Sequence, residues 1–147
     1  MAIKMSTGLS NEMLSGDTLK AIFDAGSEIR IYSGTIPSSA DDGIGSATLL
    51  VTIKNDGTDG ITFDTAATNA ILQKSPSETW EGDNVATGAA TFYRHVLTSD
   101  DDAGSSTAPR YQGTVAVVGG DMNLTNVNLV SGAPQKLDYH AVTIASA

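Results

Sequence analysis

A chain of 147 residues suffices for one domain, which at this size buries roughly 70% of its unfolded surface in a core of its own. It has no cysteine, so disulfides and thiolate metal sites are excluded. Lys and Arg number 8 against 17 Asp and Glu, a net charge of −9, and the basic residues are scattered; neither nucleic acid nor an anionic membrane surface is expected as a partner.

The first fourteen residues, MAIKMSTGLSNEML, show no clean period and no apolar stretch of the kind a signal peptide carries. Use in the cytoplasm of the producing cell is the expectation. The segment reads either as a frayed terminus or as an arm that orders against a neighbouring subunit. Residues 15–26, SGDTLKAIFDAG, predict the one short helix: Ser15 or Asp17 as cap, Leu19, Ile22 and Phe23 on one face, Gly26 at the stop.

From residue 28 the period becomes two. Ile29 and Ile31 alternate with Glu28 and Arg30. Ala47, Leu49, Val51 and Ile53 alternate with Thr48, Thr52 and Lys54, which predicts a strand with one wet face. NDGTDG at 55–60 predicts a hairpin turn leading to Ile61 and Phe63. A short strand over 70–72 ends near Pro76, and a bend follows Trp80. AATFYRHVL (89–97) carries bulky groups on both faces, so it is either fully buried or covered by a partner. SDDDAGSSTAP (99–109) predicts an exposed loop. Strands follow over 111–118, 124–130 and 137–144. The sum is an all-β chain of about eight strands, a β-sandwich or jelly roll with one N-terminal helix. The division is an arm over 1–14 and a single domain over 15–147.

Groups suited to catalysis are few. His95 and His140 each fall in a strand pattern and read as surface or interface residues, with a shared metal site as the sharper alternative. Asp100, Asp101 and Asp102 invite a calcium reading, but DDDAG neither alternates ligands nor ends on Glu, so a solvated loop is expected. Asn55, Asp56 and Asp59 are read as a turn. Asn123-Leu124-Thr125 matches the glycosylation pattern without a secretion signal. Trp80 reads as a core residue or as a partner anchor. No cofactor, no metal and no catalytic residue is expected.

The segments IRIYSGTIPSSADD (29–42), LLVTIKNDGTDGITFDTAA (49–67) and SGAPQKLDYHAVTI (131–144) resemble small virion structural proteins of tailed bacteriophages. The resemblance covers most of residues 15–145. It implies a non-catalytic subunit of the particle, made in the bacterial cytoplasm and located in the virion. A capsid decoration or cement protein is the favoured form, a homo-oligomer contacting the major capsid protein or other virion proteins. Interface candidates are Ile3, Met5 and Leu9 of the arm, Trp80, and Tyr93 in the aromatic strand. The competing readings are a tail-associated structural or carbohydrate- or receptor-binding module, which needs an exposed aromatic beside acidic groups, and a two-carboxylate hydrolase, which needs a cleft.

Overall fold

The computed structural model describes residues 3–143. In chain order the elements are β1 (Lys4–Met5), α1 (Thr7–Leu14), α2 (Leu19–Asp24), β2 (Ser27–Ser33), β3 (Thr48–Asn55), β4 (Ile71–Gln73), β5 (Trp80–Asp83) and β6 (Gly88–Ala89). There follow β7 (Phe92–Leu97), β8 (Arg110–Ala116), β9 (Met122–Asn123), β10 (Asn128–Leu129), β11 (Pro134–Lys136) and β12 (Ala141–Thr143). The protein is mostly β, built on one large antiparallel sheet with two short helices. The sheet runs β1-β8-β7-β2-β3-β5-β11, and β9 adds to β8 in parallel. Two small ribbons, β4 with β12 and β6 with β10, lie outside it.

The alternation of β2, β7 and β8 sorts side chains onto two faces, since neighbours in a strand point opposite ways. On one face lie Ser27, Ile29 and Ile31 of β2 with Tyr93 and His95 of β7 and Tyr111 of β8, as the register pairs Ile29 with His95 and His95 with Tyr111. Leu19, Ile22 and Phe23 of α2, Ile61 and Phe63, Trp80, and Met122, Leu124, Leu137 and Val142 complete this apolar core. On the other face lie Glu28, Arg30 and Tyr32 with Phe92, Arg94 and Val96, then Arg110 and Gln112. These too are buried, so both faces of β2 are covered although Glu28 and Arg30 are charged. Its cover is the chain's own loops 34–47 and 98–109, whose carbonyl and carboxylate groups receive the arginines.

Three expectations are corrected by packing. The alternation of β3 breaks at a bulge: Ile31 pairs with Val51 but Tyr32 with Leu49, so Leu50 is the extra residue. A bulge turns the strand locally, and Leu50 is buried where Leu49 is only half-buried. The 55–60 turn forms, with Asp56 and Gly57 at positive φ. No hairpin strand follows it, because β3 pairs instead with β5 while Ile61 and Phe63 drop onto the core. The predicted single helix is two. Gly16, at φ 122°, separates them, and Thr18 rather than Ser15 or Asp17 caps α2, its Oγ1 accepting from the Ala21 amide at 3.0 Å. Gly26 does lie just past the stop, at φ 136°.

Residues 4–14 are docked on the body of the chain, not free as an arm. β1 pairs with β8. Ser6 joins three elements through one hydroxyl: it accepts from the amides of Leu9 (3.1 Å) and Arg110 (2.9 Å) and donates to the carbonyl of Ala108 (2.8 Å). Eight residues are too few for a helix to persist alone, so α1 depends on this docking. Gly8 sets its closeness: a Cβ there would stand 2.4 Å from the Thr107 carbonyl carbon. Gly8→Ala raises helix propensity by about 1 kcal/mol but forces a clash costing about 1–3 kcal/mol. Urea unfolding should therefore show Gly8→Ala to be destabilised; a stabilised variant would mean that α1 is not seated as described.

Candidate functional site

A chain of polar groups crosses the apolar core. Ser27 Oγ lies 2.7 Å from His95 Nε2, His95 Nδ1 lies 2.6 Å from the Tyr111 hydroxyl, and that hydroxyl lies 2.9 Å from His140 Nε2. Ser27 comes from β2, His95 from β7, Tyr111 from β8 and His140 from the segment before β12; sheet register sets His95 opposite Tyr111, with Ser27 on the same face one diagonal step from His95. Phe23 stacks on the His95 ring at 4.3 Å between centroids, and Phe63 tilts over it at 5.5 Å. Tyr93 meets the His140 ring edge-on.

Burial sets the charge of this chain. Desolvation holds His95 well below its ordinary pKa, with the neighbouring His140 adding to it. The same burial brings His140 down to about 4 and pushes the Tyr111 phenol well up. At neutral pH all four groups are uncharged. The Ser27–His95 spacing is that of a nucleophile and its base. Ser27, however, has no exposed surface, so a substrate has no approach to it. The two histidines, expected at the surface, meet through a tyrosine inside the core, with ring centroids 6.4 Å apart.

The opposite face of the sheet is an arginine-lined dock for two loops. Arg110 holds Asp100 with two bonds, Nε to Oδ2 at 2.6 Å and Nη2 to Oδ1 at 3.0 Å. It also donates to the carbonyls of Ala103 and Ala40, one from each loop. Arg94 donates to Gln112 and to the Asp42 carbonyl, and Gln112 donates to the Pro37 carbonyl. Asp102 accepts from the Tyr32 hydroxyl at 2.8 Å and pairs with Arg30 at 3.1 Å. Burial first, then the nearby Arg110 charge, lowers the Arg94 guanidinium from its ordinary value. Asp100 and Asp102 are thus turned inward, the first with a side chain only 3% exposed, and the expected solvated loop is an ion-paired strap. Only Asp101 of the three faces water.

Among the described residues, two of the concave sites open to the surface have a mainly apolar lining. One is an apolar groove of about 490 Å³ between the helices and the β4–β12 ribbon, lined by Met13, Leu19, Ala67, Ala70, Leu72 and Val142 with Asp17, Thr18 and Lys20 at its rim. Leu14, next to Met13, is 86% exposed. The other is a cavity of about 270 Å³ beside His140, formed by residues 121–125 and 136–141.

No family model, curated protein or solved structure matches the chain. The candidate residues are therefore placed by this structure alone. Leu9, Trp80 and Tyr93 are fully or almost fully buried in the chain's own core and offer no contact surface. Ile3 and Met5 are half-buried and pack against that core. Trp80 donates from its indole nitrogen to Glu78 at 2.6 Å, a buried residue with its polar handle satisfied. The surface features missed by sequence reading are Leu14, the groove and Tyr139. Leu14 fell in a segment without a period, and the groove joins residues 13–20, 67–72 and 142, which only folding brings together.

Proposed function

We propose that the chain is a non-catalytic structural subunit of a tailed-bacteriophage particle, a decoration or cement protein that binds the assembled shell. The fold belongs to this reading as a two-layer sandwich, the large sheet forming one layer and the short ribbons with α2 the other. The observation that carries the proposal is the groove. An apolar floor with a rim of Asp17, Thr18 and Lys20 has the anatomy of a protein–protein contact. Its wall includes a strained turn: Asn69 and Ala70 both have positive φ in the tight connection from Thr68 to Ile71. Glycine is favoured in such a turn, and Ala70 there costs about 1 kcal/mol. Strain of this kind is kept where the local shape is used. The occupant is an apolar segment of the capsid protein, matching the apolar floor of the groove and the exposed Leu14 next in sequence to its lining residue Met13.

The mechanism is mass action. A subunit that binds the mature shell and not its precursors stabilises the mature state by its binding free energy, multiplied over many copies. The acidic surface suits an external position, away from DNA. Leu14→Asp and Ala67→Trp should leave stability within about 0.5 kcal/mol, because both positions are exposed. Each should lower occupancy on tail-stripped capsids about tenfold or more. Full occupancy by both variants would move the contact off the groove. Absence of the chain from heads while whole particles retain it would make it a tail component, and absence from both would end the reading.

A further inference from the structure

We propose that the cavity beside Tyr139 is a saccharide site that takes a neutral pyranose. This inference is independent of the shell contact, and either can fail alone. The cavity, at about 270 Å³, is just below the size of drug-sized ligand pockets, which run roughly 300–1,000 Å³, so it suits a single sugar ring. Its floor is apolar and buried, made by Met122, Leu124 and Leu137. Tyr139 lines it and is 63% exposed, an aromatic face presented to solvent at the mouth. A pyranose has one face of C–H groups and a periphery of hydroxyls. The C–H face matches an exposed ring and an apolar floor.

The hydroxyls need planar polar groups held in place, because each is both donor and acceptor. Asn123 and Asp138 line the wall. The amide of Asn123 is fixed by the Gly120 N–H, which donates to its Oδ1 at 3.0 Å. Asp121, also lining, is oriented by the amide and hydroxyl of Thr114 at 2.9 and 3.2 Å. A small ligand therefore meets a largely preformed site and loses little free energy to ordering it. Two carboxylates against the single ammonium of Lys136 give the cavity a negative balance, which disfavours sialic and uronic acids and leaves neutral sugars.

The test uses the full chain, labelled with ¹⁵N, titrated with the methyl glycosides of glucose, galactose, mannose and N-acetylglucosamine, and with sialic acid as the acidic probe. At least one neutral glycoside should bind, shifting amides within 121–141, and sialic acid should not. Tyr139→Ala should weaken that binding about tenfold, while Tyr139→Trp, which keeps a ring, should stay within about threefold. Because Tyr139 is exposed, both variants should retain the parent spectrum elsewhere. The site is refuted if no neutral glycoside binds, if only sialic acid binds, or if Tyr139→Ala binds as tightly as the parent.

Discussion

Acidification from pH 7 to pH 4 should remove several kcal/mol of stability through two buried histidines. His140 is held at about 4 in the folded chain by burial, against about 6.5 in an unfolded one. Above pH 6.5 the ring is neutral in both states and stability is full. As pH falls through 6.5 the unfolded state takes up the proton first, so unfolding is favoured by about 1.4 kcal/mol per pH unit. The loss from His140 alone reaches about 3 kcal/mol and levels off near its folded pKa. His95, also held down by burial and by the neighbouring His140, acts in the same direction. Denaturant unfolding at a series of pH values measures this directly. His140→Phe should flatten the slope between pH 6.5 and 4 by about half. A wild-type stability that stays level or rises over that range would contradict the buried, neutral chain.

Removal of the Asp100 carboxylate should be the most damaging single change on the opposite face. Asp100→Ala leaves Arg110, whose side chain is 1% exposed, as a buried charge without its carboxylate. Breaking such a pair costs about 3–5 kcal/mol. The neighbouring Asp101→Ala removes only an exposed carboxylate accepting from the Ala103 amide and should cost less than about 1 kcal/mol. The double variant Asp100→Leu with Arg110→Met should recover part of the loss, because it removes the unpaired charge along with its partner. Recovery stays partial, since Arg110 also serves the carbonyls of Ala40 and Ala103. Thermal melting of the four proteins checks the order. Equal melting of Asp100→Ala and Asp101→Ala would show that the loop is not strapped.

Much of the sheet is legible in the sequence because its central strands obey a period of two. β2, β3 and β8 lie where apolar and polar residues alternate, and β7 where bulky residues fill both faces. The polar members of that alternation mislead. Arg30, Arg94 and Gln112 sit at positions that normally face water; Arg94 and Gln112 bond to each other and to carbonyls 52 and 75 residues away, and Arg30 joins its neighbour Glu28 to the distant Asp102. Nothing local marks such a position as buried. α1 and the β5–β11 edge were hidden for a related reason: each is short and held by tertiary bonds, α1 by Ser6 and β11 by its pairing with Trp80–Asp83. Of the surface sites, only the need for an exposed aromatic beside acidic groups was readable. Which tyrosine meets it is decided by the fold, and it is Tyr139.

One hydroxyl between two imidazoles has a further consequence. Tyr111 carries a single proton, so it donates to one ring and accepts from the other. The tautomers of His95 and His140 are therefore interlocked, and neither can switch without the other. Ser27 sets the bias: its hydroxyl is 2.7 Å from His95 Nε2 but 3.5 Å from the Ile61 carbonyl, so donation to the ring wins. His95 is then protonated on Nδ1 and Tyr111 donates to His140, giving every bond in the row the same polarity from β2 toward the surface.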